Sequence, residues 1–242
     1  MRLLVLAAGY ATRLYPLTRD RPKALLPVGG RPMADRVLEA LAPIGFDARY
    51  VVTNAKFAPH FREWAEGNDV AVVDDGTTSD DDRLGAIGDI GFVIDREGID
   101  DDLVVVAGDN LFSETLEDFG RLAREEGAPL LGVHDVGDIE LIRGRYNSIE
   151  VDARGRITYF EEKPDEPRST LSGIALYFYP RKTLPLIGEY LAAANNPDQP
   201  GRLVQWLYPR VDVFTWPVPG DWYDIGDREQ LEEADRIFSA QS

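Results

Sequence analysis

The sequence contains no cysteine and only two histidines among its 242 residues. The absence of cysteine excludes disulfides, thiolate zinc sites, iron–sulfur clusters and cysteine nucleophiles. The two histidines, His60 and His134, are far apart in sequence, which leaves little basis for a histidine-rich metal site. No apolar run approaches the roughly 20 residues that a membrane span requires. Arginines and a lysine closely follow the short apolar N-terminal run, so we expect no signal peptide, no membrane partner and a cytoplasmic protein.

Basic side chains are also scarce. The chain has 26 lysines and arginines against 43 aspartates and glutamates, which gives a formal net charge of −17. This balance argues against a protein that coats nucleic acid or an anionic membrane, and we expect no nucleic-acid partner. The charge is unevenly distributed, because residues 1–36 carry seven basic and only two acidic side chains. A basic segment at the start of an acidic chain predicts a local anion site.

Short apolar segments alternate with helical patterns along the first half of the chain. Arg2–Ala7 and Leu103–Ala107 are typical of buried strands. The alternation predicts a Rossmann-like α/β fold with a mixed, mostly parallel sheet flanked by helices. The second half is more antiparallel, with a predicted hairpin whose turn is Asp152-Ala153-Arg154-Gly155. Asparagine and proline residues predict a loop over Asn195–Gly201.

A glycine-containing segment, Leu6–Leu14, directly follows the first predicted strand. Glycine allows backbone N–H groups to approach an anion closely, and Thr12 and Arg13 add a hydroxyl and a guanidinium donor. The segment matches neither the Walker loop nor the dinucleotide-binding fingerprint, because it lacks the residues that define them. We interpret it as a phosphate-binding loop, and an ordinary turn after a strand is the alternative.

Two further features supply charges of the kind that phosphate chemistry needs. Lys23 is one of only four lysines and stands between Pro22 and Pro27. An ammonium group binds phosphate oxygens as a compact point charge. Asp109 follows the most apolar predicted strand, where ligands bind in open α/β sheets, and its carboxylate suits Mg²⁺. A solvated surface lysine and a turn aspartate are the alternatives.

In order and spacing, these segments resemble the landmarks of the sugar-1-phosphate nucleotidyltransferase family. The resemblance covers essentially the whole chain and is greatest to the compact form, as in the glucose-1-phosphate thymidylyltransferases. It implies a GT-A-type fold in a single domain, residues 1–242, with a nucleotide-binding half at about 1–110 and a sugar-binding half at about 111–242. The matching segments are Leu6–Arg13, Pro22–Pro27, Gly108-Asp109, Glu162-Lys163-Pro164, Ser172-Gly173-Ile174 and Trp222–Gly226.

The resemblance also implies an activity. A nucleoside triphosphate, with dTTP or UTP favoured, and a sugar 1-phosphate would give a nucleotide sugar and pyrophosphate, with Mg²⁺ as cofactor. Family members often form dimers or tetramers, which makes a homo-oligomer one option. The implied catalytic residues are Arg13 and Lys23, and the implied metal ligands are Asp109 and Asp224. The implied nucleotide contacts are Leu6, Ala8, Gly9, Thr12, Arg13, Lys23, Thr78 and Gly108, and the implied sugar-phosphate contacts are Asn147, Glu162, Lys163 and Gly173.

Three places depart from the family pattern. Ala11 stands where the family has a glycine, so we expect no left-handed backbone conformation there. Thr78 and Arg83 fall near positions at which thymidylyltransferases carry a glutamine and a glycine for the base, which leaves the base open. Asn147 stands where many relatives have a glycine near the sugar, and this exchange could alter the choice of sugar.

Two other functions stay open at this stage. The atypical segment Thr77-Thr78-Ser79 is compatible with a cytidylyltransferase that acts on phosphocholine or a related phospho-alcohol. That function would favour an aromatic cage near the sugar site. A catalytically silent, regulatory nucleotide-sugar sensor is the other, because a fold alone does not prove activity.

Overall fold

The computed structural model of the chain describes residues 1–240. This range contains thirteen strands and eight α-helices. The strands are β1 (Arg2–Leu6), β2 (Pro27–Val28), β3 (Arg31–Pro32), β4 (Ala48–Thr53), β5 (Ala71–Asp74), β6 (Leu103–Ala107), β7 (Asn110–Phe112), β8 (Leu130–Asp135), β9 (Asn147–Val151), β10 (Ile157–Glu162), β11 (Leu171–Tyr179), β12 (Phe214–Pro217) and β13 (Trp222–Asp224). The helices are α1 (Met33–Leu41), α2 (Ala58–Ala65), α3 (Ala86–Glu97), α4 (Glu117–Glu126), α5 (Ile139–Ile142), α6 (Leu184–Ala192), α7 (Pro200–Leu207) and α8 (Arg228–Ala240).

Seven strands form one mixed sheet in the order β12-β8-β11-β6-β1-β4-β5. The pairs β1–β4, β4–β5 and β12–β8 are parallel, whereas β11 and β8 are antiparallel. In β6, the four residues from Leu103 to Val106 are fully buried, as expected for a strand with both faces covered. The predicted α/β class, with a mixed and mostly parallel sheet flanked by helices, is confirmed.

The chain divides into two compact units, and the first comprises residues 1–84, 106–117 and those from 219 onward. In this unit α1 packs on β7, α2 on β5 and α8 on β2. Helix α1 begins directly after Pro32 and buries Met33, Val37 and Leu41, which recur at helical spacing. Asp227 caps α8, because its carboxylate accepts a hydrogen bond of 3.0 Å from the N–H of Gln230.

The second unit comprises residues 85–105 and 118–218. Here β9 and β10 form the predicted hairpin, α6 packs on α3, and α7 packs on β10. The predicted loop is too long at its C-terminal end, because α7 already begins at Pro200 and includes Gly201. Proline is compatible with the first helical turn, where its missing N–H would have no partner within the helix.

None of the helices in the described part of the chain has the length and hydropathy that a membrane span requires.

Candidate functional site

The loop after β1 is held by side chains from its own unit. Buried Asn54 donates a hydrogen bond of 2.8 Å to the carbonyl of Ala8. The hydroxyl of Thr18 donates one of 2.7 Å to the carbonyl of Ala11. These contacts fix the loop on both sides of Gly9. The sequence predictions omit Asn54, although its position directly after β4 is the same signal that identified Asp109 after β6.

Ala11 adopts a left-handed backbone conformation, with φ at 48° and ψ at 45°. The prediction of an ordinary conformation at this position is therefore wrong. A residue with a Cβ adopts this conformation at a cost of about 1 kcal/mol, and hydrogen bonds from Leu14 and Thr18 to the Ala11 carbonyl hold it there. Glycine would adopt the same backbone conformation without the steric cost.

A cavity of about 180 Å³ lies beside this loop. A Cβ on Gly9 would have no atom within 4 Å, so the space in front of this residue is open. A Cβ on Gly108 would approach Ala24 to 3.0 Å and Val5 to 3.2 Å, so the packing around this residue after β6 is tight. The cavity brings together five of the predicted residues, Leu6, Gly9, Lys23, Gly108 and Asp109.

Lys23 and Asp109 form an ion pair at this cavity. Nζ of Lys23 lies 2.5 Å from Oδ2 of Asp109, with 16% and 27% of the two side chains exposed. Partial burial makes such a pair stronger than one at the open surface. The amide of Asn110 donates to the other oxygen of Asp109 at 3.1 Å and accepts a hydrogen bond of 2.8 Å from the indole of Trp222. Both oxygens of Asp109 are therefore oriented.

Asp224 lies on β13, opposite Asn110 of β7 in antiparallel register. Burial raises its pKa to about 6, the negative charge of Asp109 acts in the same direction, and Lys23 and Arg13 oppose the shift. The four charged groups that the sequence predicts for catalysis and metal binding therefore interact within the first unit.

The donor set fits a hard divalent cation. Burial is the main cause of the raised pKa of Asp224, and a cation near Asp109 and Asp224 would relieve the repulsion from Asp109 that adds to it. Residues 1–240 contain no group of three or more carboxylate or histidine side chains that could hold a metal. A pair of carboxylates, completed by phosphate oxygens and water, is the arrangement that Mg²⁺ commonly uses.

Of the remaining predicted nucleotide residues, Ala8 is buried and the others are exposed. Exposed Thr12 and Arg13 form a 3₁₀ turn with buried Leu14. Thr78 is also exposed, and both its N–H and its hydroxyl donate to Asp82 at 3.1 Å. Backbone N–H groups from Thr78 and Ser79 lower the pKa of Asp82 to about 2. The donors of Thr78 are thus engaged within its own loop, and its contact with a base stays a prediction.

The predicted sugar residues lie in the second unit, where the β9–β10 hairpin meets β11. Asn147 faces Glu162 across the hairpin. The side-chain oxygen of Asn147 accepts a hydrogen bond of 2.6 Å from the N–H of Gly173, and its amide donates one of 3.1 Å to the Gly173 carbonyl. A Cβ on Gly173 would lie 2.6 Å from Cδ2 of Leu131, so a larger residue at this position would displace that side chain.

The carboxyl group of Glu162 differs from the other side chains of this cluster in its burial and in its hydrogen bonding. Burial raises the pKa of its carboxyl group, while Lys163, Arg202 and a hydrogen bond with Asn147 oppose the shift. Within the described part of the chain, Oε2 is buried and has no hydrogen-bond partner. Leaving a buried carboxylate oxygen unpaired is costly, and this oxygen is free to accept a hydrogen bond from a ligand. Arg202 belongs to no motif, and the sequence predictions omit it.

Lys163 is exposed beside Glu162, at the end of the hairpin. Its backbone is left-handed, with φ at 51°, and its N–H donates to the carbonyl of Tyr146 at 3.0 Å. All four predicted sugar residues therefore lie in one part of the second unit.

We expect Asp224→Asn to stabilise the metal-free protein above about pH 6. Because the folded-state pKa lies above the ordinary value of 3.8, ionisation of Asp224 costs the folded state free energy. This cost grows between about pH 4 and pH 6 and is constant above. The neutral asparagine avoids it, so the free energy of unfolding should exceed that of the wild type by about 3 kcal/mol at neutral or alkaline pH.

Denaturant unfolding with a chelator, from about pH 4 to pH 8, measures this difference. Asp81→Asn removes the same charge from an exposed position and controls for net charge. The prediction would be contradicted if the free energies of unfolding of Asp224→Asn and wild type differed by the same amount at about pH 4 and at about pH 8.

Comparison with known proteins identifies relatives along the whole sequence. Residues 2–241 match the model of the nucleotidyl transferase family. A protein of Sulfolobus acidocaldarius assigned as a mannose-1-phosphate guanyltransferase is 31% identical over 231 residues, which cover 92% of this chain and 59% of that protein. A glucose-1-phosphate thymidylyltransferase of Neisseria meningitidis is 29% identical over 248 residues, which cover 97% of this chain and 81% of that protein.

A solved structure shows the same fold. The crystal structure of a UDP-glucose pyrophosphorylase complexed with UDP-glucose superposes with a TM-score of 0.83 at 19% identity, over 100% of this chain and 99% of that chain. Three curated relatives are longer, and this chain spans 54% to 60% of their lengths. Since the family match extends over almost the entire sequence, the chain belongs to the sugar-1-phosphate nucleotidyltransferase family, as its motifs predict.

Proposed function

We propose that the protein transfers a nucleotidyl group from a nucleoside triphosphate to a sugar 1-phosphate, giving a nucleotide sugar and pyrophosphate. The observation that carries this proposal is the interacting set of Arg13, Lys23, Asp109 and Asp224 in the first unit, part of which borders an open glycine loop. Relatives named as guanyl-, uridylyl- and thymidylyltransferases support the reaction class. The expected location stays the cytoplasm, and a homo-oligomer stays one option.

The residues present suit this chemistry. The attacking oxygen of a sugar 1-phosphate is already ionised, so no base has to remove a proton. Catalysis then consists of positioning and charge neutralisation. We propose that Lys23 neutralises the negative charge near the α-phosphate and that Arg13 binds the departing pyrophosphate. This division of roles explains how a site without cysteine or histidine can be catalytic.

We propose Mg²⁺ as the cofactor, with Asp109 and Asp224 as its ligands. When bound, Mg²⁺ would neutralise charge on the triphosphate. Lys23 already holds one oxygen of Asp109 in the structure, and Asn110 holds the other. These contacts keep the carboxylate oriented before any ligand arrives.

The two substrates are assigned to different units. We favour dTTP or UTP as the triphosphate, and glucose 1-phosphate is the first sugar to test. Glu162 is the residue best suited to recognise a sugar, because its buried Oε2 can accept a hydrogen bond from a hydroxyl group. The proposed nucleotide contacts are Leu6, Ala8, Gly9, Thr12, Thr78 and Gly108, and the proposed sugar contacts are Asn147, Glu162, Lys163 and Gly173.

Pyrophosphate release tests the reaction directly. We expect Mg²⁺-dependent release with at least one pair drawn from ATP, GTP, CTP, UTP and dTTP and from the 1-phosphates of glucose, mannose, galactose and N-acetylglucosamine. Phosphocholine with CTP is included in the same panel. Release with phosphocholine alone would replace the proposal by a cytidylyltransferase. Nucleotide binding without any release would favour a sensor.

Lys23→Ala should reduce kcat/KM by about 100-fold or more, because it removes one preorganised charge from the reacting phosphates. Lys182→Ala is the matched control, since Lys182 is exposed and lies in the second unit. We expect the control to keep wild-type kinetics. Near-normal turnover of Lys23→Ala would remove Lys23 from the mechanism.

Gly9→Ala should leave the fold intact and weaken the binding of the triphosphate. The added methyl group enters open space without backbone strain, but it occupies the path by which phosphate oxygens reach the loop amides. We expect the KM for the triphosphate to rise about tenfold, as for the loss of one hydrogen bond to a charged group. Steady-state kinetics and thermal unfolding measure the two effects. An unchanged KM would show that the nucleotide does not approach Gly9.

A further inference from the structure

The carboxylate of Glu162 lies directly against helix α7. A Cβ built on Gly201, in the first turn of this helix, would lie 1.9 Å from Oε2 and 2.8 Å from Cδ of Glu162. Real Cβ atoms essentially never approach another heavy atom closer than 3.0 Å. The carboxylate therefore occupies the volume that a side chain at position 201 would fill.

The backbone at Gly201 does not itself require glycine. The residue lies within an α-helix, and its φ is not in the left-handed region. Glycine destabilises a helix relative to alanine. The three heavy atoms nearest to its missing side chain belong to Glu162 and to the ring of Phe160, whose Cζ would lie 3.3 Å away. The position of Glu162 is thus the clearest reason for glycine at this point.

Gln205 holds the same residue from one turn further along α7. Its side-chain oxygen accepts a hydrogen bond of 3.0 Å from the backbone N–H of Glu162. Residues four apart lie on one face of a helix, so Gly201 and Gln205 present a common face to Glu162. This face meets both the main chain and the carboxylate of the same residue.

Packing alone does not account for this arrangement. Oε2 is buried against Gly201 without a hydrogen-bond partner among residues 1–240. An apolar side chain at position 162 would pack α7 on β10 without that cost. A carboxylate held with one oxygen unpaired is better explained by a ligand that supplies the missing donor.

We propose that Gly201 and Gln205 are positioning residues that fix the carboxylate of Glu162 for the recognition of sugar hydroxyl groups. Gly201 leaves the space that the carboxylate occupies, and Gln205 holds the backbone of Glu162 against α7 through a hydrogen bond. The inference rests on the proposed function and adds two residues to its sugar specificity. A displaced carboxylate would accept hydrogen bonds from the wrong hydroxyl groups, so the preference among sugar epimers depends on these two residues.

The first test compares two helical glycines. Gly201→Ala should fold, because the atoms that must move are the end of a flexible side chain. We expect its KM for the sugar 1-phosphate to rise about 10- to 100-fold, the scale of a lost hydrogen bond to a charged group. The KM for the triphosphate should be unchanged, and the preference among epimeric sugar 1-phosphates should fall. Gly188→Ala, in α6, adds a Cβ with no atom within 4 Å and is the matched control.

Gln205→Met removes the hydrogen bond to Glu162 at similar side-chain volume. It should also raise the KM for the sugar 1-phosphate and lower the preference among epimeric sugar 1-phosphates. It decides the question if Gly201→Ala does not fold. An unchanged KM for the sugar 1-phosphate in these variants would overturn the proposal. An equal rise of both KM values would also overturn it, because that pattern indicates a general structural role.

A double-mutant cycle on thermal unfolding needs no turnover. In a Glu162→Ala background the space is empty, and Gly201→Ala should raise the Tm as Gly188→Ala does. When Glu162 is present, Gly201→Ala should not raise the Tm. Equal effects of Gly201→Ala in both backgrounds would refute the positioning. If the wild type transfers no nucleotidyl group, the proposed function fails, and the cycle alone decides whether Gly201 positions Glu162.

Discussion

The ion pair between Lys23 and Asp109 is the contact on which the first unit's charged cluster depends. It joins the turn after the glycine loop to the segment after β6, a strand with four fully buried residues. Because Asp109 is fixed by this pair and by Asn110, its charge acts on Asp224 from a defined place. The same lysine thus acts as the counter-ion of Asp109 in this structure, and under the proposed function it would turn to phosphate once a cation takes over the carboxylate.

Local patterns predict much of the fold, and long-range packing decides the rest. The strands β1 and β6, the β9–β10 hairpin and the cap of α8 follow from apolar runs, turn residues and a capping carboxylate. The pattern predicts no element between residues 111 and 147, where α4 and β8 form. Helix α4 is strongly polar and buries only Phe119, Gly120 and Ala123, so its apolar stripe is too narrow to recognise before its partner is known.

The residues of the candidate site likewise fall into those that local sequence predicts and those that depend on long-range packing. Residues in motifs, such as Gly9, Lys23 and Asp109, are recognisable because their types and order suffice. Gly201 and Gln205 escape prediction, because each acts on a residue far away in sequence. Gln205 is 43 positions from Glu162, and only the packing of α7 on β10 brings them together. Ala11 is mispredicted for a different reason. Alanine rarely adopts a left-handed backbone conformation, so its residue type gives no sign of the one that its hydrogen bonds stabilise here.

Asn147 affects how such an enzyme could be redesigned. Its amide is already engaged with both backbone groups of Gly173, with the hydroxyl of Ser172 and with Glu162. Exchange for glycine would remove the side-chain hydrogen bonds that link β9 to β11 at this point. It would also leave several polar groups without partners. Engineering of substrate range in this chain should therefore keep Asn147 and vary residues that carry no such connection between strands.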